Sequence, residues 1–168
     1  IVDVTGRGAH ASQPHEGLDA LAASSRLILH LQDYIKSTPR THPTLGPRSL
    51  TCTMMQGGEG QNTVPAHARL TFDMRTLPDQ SGEDAWAEIN GVVSTFAADA
   101  LPGFGVTMQP PFIDSISQQV PHDARIVTEM GAVLAARGLP DTPLAVPFGS
   151  DASKMTKAGT PTIVFGPG

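Results

Sequence analysis

The stretch AHARLTFDMR, residues 66–75, alternates without a break. Ala66, Ala68, Leu70, Phe72 and Met74 fall on one side, and His67, Arg69, Thr71, Asp73 and Arg75 on the other. A period of two held over ten residues predicts a strand with one face on a core and the other on water. Just upstream, Leu50, Cys52 and Met54 alternate with Thr51, Thr53 and Met55 before Gly57-Gly58. This predicts a second half-buried strand with the Leu50, Cys52 and Met54 side inward. Before it, Leu18, Leu21, Ile28, Leu31 and Ile35 form a helical stripe, and Ile1–Arg7 reads as a short opening strand. Downstream, Ser81-Gly82-Glu83-Asp84 has the form of a capping box. The helix it opens carries Trp86, Ile89, Val93 and Phe96/Ala97 as its apolar face, and Phe104, Val106 and Met108 alternate again before Pro110-Pro111.

The order is therefore β-α-β-β-α-β over residues 1–110, an α+β, ferredoxin-like unit. Right-handed crossovers place both helices on one face of a four-stranded antiparallel sheet ordered 4-1-3-2, with the strand around Leu50–Met55 on an edge. Few charges guard that edge, which predicts pairing with a second copy. Residues 111–168 read differently. Asp123–Arg137 predicts a helix with Ile126, Met130 and Val133/Leu134 inward and Gly138 as its stop. Ala145-Val146 and Thr162-Ile163-Val164-Phe165 are short unbroken apolar runs, expected of parallel strands covered on both faces. Such an α/β segment needs a sheet that these residues do not supply.

Composition narrows the function classes. In 168 residues, 39% are hydrophobic and only 16% charged, which opposes disorder. A net charge of -5 with no basic cluster argues against nucleic acid or an anionic membrane as partner. Apolar runs of four to six residues are far short of a bilayer span. One cysteine, Cys52, leaves no internal disulfide and no cysteine-rich zinc site. Ile1 enters the strand pattern with neither a Met nor a basic leader, which suggests a cytoplasmic protein and a piece of something longer.

Three segments could carry chemistry. His10 lies in the Gly- and Pro-bounded loop GRGAHASQPHEG, residues 6–17, where backbone rather than packing would position it. A solvated loop histidine is the plain alternative, and His10 with His15 makes a weak metal pair. Asn62 follows the glycines of GGEGQN, residues 57–62, and Arg75 ends the strand; one offers amide donors, the other a carboxylate clamp. Their plain readings are a turn former and a local pair with Asp73. Gly149 and Ser150, in PFGSDA (residues 147–152), sit where a parallel strand would open into a helix. There Ser150 or Asp151 could simply be a helix cap. No G-x-S-x-G elbow is present.

Taken in order, GRGAHASQPHEGLDAL, GGEGQNTVPAHARLTFDMR, FGSDA and PTIVFGPG resemble the zinc-dependent amidohydrolase/exopeptidase family. That family includes acetylornithine deacetylase, succinyl-diaminopimelate desuccinylase, aminoacylase and glutamate carboxypeptidases. The resemblance implies that residues 1–110 are a lid and dimerisation domain, and residues 111–168 the incomplete return into a catalytic α/β domain. It implies His10 as a catalytic residue acting in the partner subunit's site, and Asn62 and Arg75 as binders of the substrate's carboxylate end. Gly149 and Ser150 would lie in a substrate loop, although Phe148 stands where a small residue is common. The parent enzyme would use zinc or cobalt to hydrolyse N-acyl amino acids or short peptides as a homodimer. With no H-x-D and no Glu-Glu, residues 1–168 are expected to hold no catalytic metal and to be inactive alone. The alternatives are a stand-alone ferredoxin-like regulatory module binding a small ligand, and a small hydrolase using His10, Ser150 and Asp151.

Overall fold

The computed structural model describes residues 1–113, 117–146 and 148–166. Strand β1 (Val2–Thr5) leads through a loop into helix α1 (Ala20–Ser37). Two long strands follow, β2 (Ser49–Gly57) and β3 (His67–Arg75), then helix α2 (Gly82–Ala100) and strand β4 (Gly105–Met108). The four strands form one antiparallel sheet in the order β2-β3-β1-β4, so β2 and β4 are its edges. Architecture and strand order match the expectation from hydrophobic periodicity.

Register explains why one face is dry. Val2 lies opposite Leu70 and Met108, and Val4 opposite Ala68 and Val106, so these residues share a face. Against them pack Ala20, Ala23, Leu27 and Leu31 of α1, Ile89 and Val93 of α2, and Leu101. Each large aliphatic side chain so buried contributes about 1.5–3 kcal/mol. The α1 stripe is rotated from the expected one. Leu31 is at its centre with Ala20, Ala23 and Leu27, while Leu21, Ile28 and Ile35 of the expected stripe pack half-buried at the margin of the core. On α2 the buried position is likewise Ala85 and not Trp86, whose indole Nε1 donates to the Gln109 carbonyl at 3.0 Å. The opposite sheet face is polar. Arg69 Nε donates to Asp3 Oδ1 at 2.6 Å and Gln109 Nε2 to Asp3 Oδ2 at 2.7 Å, and the Arg69 hydrogen bond holds the Asp3 carboxyl below its ordinary value.

Both long helices are capped by side chains. Asp19 Oδ1 accepts from the Ala22 N–H, and Ser81 Oγ accepts from the Asp84 N–H while donating to the Asp84 carboxylate at 2.6 Å.

Strand β2 departs from its expected phase. Cys52 faces Phe72, but Met54 faces Thr71, so Thr53 is an extra, bulged residue. Beyond it the faces exchange: Met55 opposes Leu70, and Met54 turns to the polar face with 52% of its surface exposed.

A buried ionic cluster ties the helix ends together. Arg48, only 4% exposed, follows a small hairpin (Thr41–His42 with Gly46–Pro47). Its Nη1 donates to the Glu88 carboxylate at 2.9 Å, and its Nη2 to the Thr38 carbonyl and hydroxyl at 3.1 and 2.9 Å. Glu88 also accepts from Tyr34 Oη and Gln80 Nε2, each at 2.8 Å. Burial raises the Glu88 carboxyl, but these three hydrogen bonds and the Arg48 charge outweigh it, and the net shift is downward.

Helix α3 (Arg125–Ala135) and helix α4 (Ala152–Lys157) complete the described elements. Gly138, at φ 68°, follows α3 in the left-handed conformation that ends helices. Ala145-Val146 and Thr162–Phe165 are not strands: among the described residues no neighbouring strand offers them a ladder, and Val164 and Phe165 are 55% and 64% exposed. Pro147, Pro167 and Gly168, which belong to two of the motifs read above, lie outside the described residues.

Candidate functional site

The loop leaving β1 is closed by its own backbone. Arg7 N–H donates to the Leu18 carbonyl at 3.0 Å, and Leu18 N–H returns to Arg7 at 2.8 Å. Inside it, Ala9–His10 forms a two-residue antiparallel ladder with Thr63–Val64, extended by Ala11 N–H to the Asn62 carbonyl at 2.8 Å. Gly17 is the close-packing point. A Cβ there would stand 2.8 Å from Val64 Cγ1 and 3.1 Å from Ala9 Cβ, so glycine lets the two loops touch.

That ladder sets His10 and Asn62, which are 52 residues apart, side by side on an exposed rim. His10 Nε2 is 3.5 Å from Asn62 Nδ2. The ring's other nitrogen, Nδ1, is 2.7 Å from Ser12 Oγ and 3.2 Å from the Ser12 main-chain N–H. The pair offers polar groups to whatever approaches and encloses nothing. A groove of about 510 Å³ on the polar sheet face is lined by Asp3, Gln56, Glu59, His67 and Arg69 and by neither His10 nor Asn62.

Arg75 lies elsewhere. It ends β3, eight residues beyond His67, which is about 27 Å along the strand at ~3.4 Å per residue. Its Nε and Nη2 donate to the two Asp73 carboxylate oxygens at 2.6 and 2.9 Å. The local pair that was its plain reading is thus present. Within one chain Arg75 and the His10–Asn62 rim occupy opposite ends of the sheet.

Gly149 is exposed and Ser150 half-buried, immediately before α4. Neither Ser150 nor Asp151 caps that helix through its side chain. Ser150 contributes its carbonyl, which accepts from the Ser153 N–H and Oγ, and Asp151 pairs with Lys154 at 2.8 Å. Among the described residues the His10 ring meets Ser12 and Asn62, and no hydrogen bond joins it to Ser150 or Asp151, so a His10–Ser150–Asp151 hydrolase is not assembled. Nor do any three His, Cys, Asp or Glu side chains among the described residues gather to hold a metal ion. His15 is exposed in the turn Pro14–Glu16. The described residues do not fit a zinc site.

Sequence reading passed over Ser12, although its place two residues after His10 in a turn was a local signal for a contact. It also passed over Arg48 and Glu88, whose 40-residue separation gives no local signal.

A family model described as a peptidase dimerisation domain matches residues 1–100, which hold strands β1 to β3, both long helices and the His10–Asn62 rim. The chain belongs to the peptidase dimerisation domain family. Among curated relatives, acetylornithine deacetylase of Myxococcus xanthus is 24% identical over 99% of this chain and 43% of its own length. N-acetyldiaminopimelate deacetylase of Bacillus velezensis is 35% identical over 48% of this chain and 21% of its own. This member of the dimerisation family thus spans less than half the length of either relative. Among solved structures, a tripeptidase from Staphylococcus aureus superposes with a TM-score of 0.72 at 18% identity, covering 95% of this chain and 40% of that one. At that identity the likeness shows the shared fold.

Proposed function

We propose that this chain is the lid and dimerisation portion of a metal-dependent hydrolase that cleaves the amide bond of N-acyl amino acids or short peptides, acetylornithine deacetylase-like. One observation carries the reading. Two motif loops distant in sequence are joined by a backbone ladder that presents His10 and Asn62 on one exposed rim of a dimerisation fold. Residues 1–110 form the lid, and residues 111–168 return into the catalytic α/β domain. His10 donates to the oxyanion in the partner's site, Asn62 and Arg75 hold the substrate's carboxylate end, and Gly149 and Ser150 line a substrate loop. The zinc or cobalt is held by parts of the enzyme that these residues do not include. The protein is cytoplasmic and works as a homodimer.

The separation of Arg75 from the rim supports a composite site. Edge strand β2 carries no charged residue, and its Met54 is 52% exposed; Leu29 on α1 is 61% exposed. Antiparallel pairing of β2 with its copy about a two-fold axis would continue the sheet to eight strands. It would then bring Arg75 of one protomer to the same end as His10 and Asn62 of the other. In that arrangement Arg75 would exchange Asp73 for a substrate carboxylate.

Sedimentation at tens of micromolar tests the assembly. The unmodified chain is expected to be a dimer, and Thr51→Lys with Met54→Lys a monomer; a monomeric unmodified chain would count against the proposal. In the complete enzyme, His10→Ala is expected to cut kcat by about 10²–10³, the cost of removing one oxyanion donor. Undiminished turnover would remove His10 from the site.

A further inference from the structure

We infer that Ser12 is a positioning residue that fixes the tautomer of His10, leaving the ring's single proton on Nε2. The argument starts from the main chain. Gln13 N–H donates to the His10 carbonyl at 2.8 Å, closing a turn over residues 10–13 that carries the Ser12 N–H back onto the imidazole. That N–H lies 3.2 Å from Nδ1. An amide N–H can only donate, so Nδ1 must present its lone pair, and a neutral ring then bears its proton on Nε2. The Ser12 hydroxyl, 2.7 Å from the same nitrogen, rotates to donate as well. The opposite tautomer would set an N–H against an N–H.

The consequence lies on the other side of the ring. With Nε2 protonated, the 3.5 Å approach of Asn62 Nδ2 brings two donors together, and neither satisfies the other. Both stay available to a single oxygen from outside, the arrangement that suits a carboxylate or the alkoxide of a tetrahedral intermediate. This use of the donor rests on the function proposed above, whereas the tautomer assignment does not.

Long-range nitrogen–proton NMR of the histidine-labelled chain tests it at about pH 8.5, two units above the ordinary histidine value of ~6.5. His10 resonances are assigned by their loss in His10→Gln. Nδ1 is expected in the pyridine-like range and Nε2 in the pyrrole-like range. His42 serves as an internal standard, because its Nδ1 accepts from the main-chain N–H groups of Thr44 and Leu45 at 3.2 and 3.3 Å. Ser12→Ala keeps the main-chain donor and loses the hydroxyl, so the tautomer ratio should fall on the order of fivefold, one hydrogen bond's worth, and Ser12→Thr should restore it. A ring protonated mainly on Nδ1, or a ratio indifferent to Ser12→Ala, overturns the inference. An Nε2-protonated ring in an enzyme whose turnover ignores His10→Ala supports the positioning role and overturns only the oxyanion reading.

Discussion

Leu27, Leu31 and Leu70 in the sandwich of residues 1–108 are wholly buried, whereas Leu144, Phe112 and Phe165 in the segment that follows are 87%, 70% and 64% exposed. Both regions contain amphipathic helices. On α1 and α2 the apolar stripe meets a sheet whose register offers Val2, Val4, Ala68 and Leu70 in return. On α3 no residue is buried, and Ile126 and Val133 face outward at 37% and 47%. Periodicity thus states which side of a helix is meant to be covered; only a partner surface of matching register covers it. The same contrast holds for charge: Arg48–Glu88 is enclosed, whereas Lys154–Asp151 stands in water.

Four experiments would break or sharpen this contrast. The largest effect is expected at the enclosed ion pair. Glu88→Ala strands the Arg48 guanidinium in the interior and should cost about 3–5 kcal/mol in urea denaturation, whereas Asp151→Ala should leave the midpoint where it is. Equal responses would erase the distinction. Next, Leu70→Ala should cost about 2–5 kcal/mol by opening a cavity under both helices, against less than about 0.5 kcal/mol for Leu144→Ala. Third, Ser81→Ala should cost about 1 kcal/mol by removing the α2 cap, read as a shift in the thermal midpoint.

The mildest effect concerns pH. The Glu88 carboxyl lies below its ordinary value of 4.5 in the folded chain. Its contribution is therefore complete above that value and is lost as pH falls through the lower, folded-state value. Stability measured from pH 6 downward should decline through this window, and Glu88→Gln should flatten that part of the curve. An unchanged acid limb would show that Glu88 is not held ionised by its three donors.

Much of the sandwich was legible because its signals are local. Ala66 to Met74 alternate, Ser81 to Asp84 form a cap, and two prolines stop the last strand. What escaped depends on distant partners. The bulge at Thr53 exchanges the faces of Met54 and Met55 because β3 sets the pairing, and nothing within residues 49–57 announces it. Arg48 lies in a turn-rich segment that reads as solvated loop, yet it is buried because Glu88, 40 residues on, neutralises it. Ala145-Val146 and Thr162–Phe165 have the composition of strands, but a strand also needs a neighbour. At the candidate site, His10, Asn62 and Arg75 were each visible as residue types. That the first two adjoin and the third lies at the far end of the sheet is a property of the ladder between Ala9–His10 and Thr63–Val64.

That ladder bears on any attempt to transplant the histidine. A designer who grafted only residues 6–17 onto another scaffold would move the imidazole without the short strand that orients it, and without the valine against which Gly17 closes. The two loops make one exchangeable module, and a chimera must carry both or inherit neither.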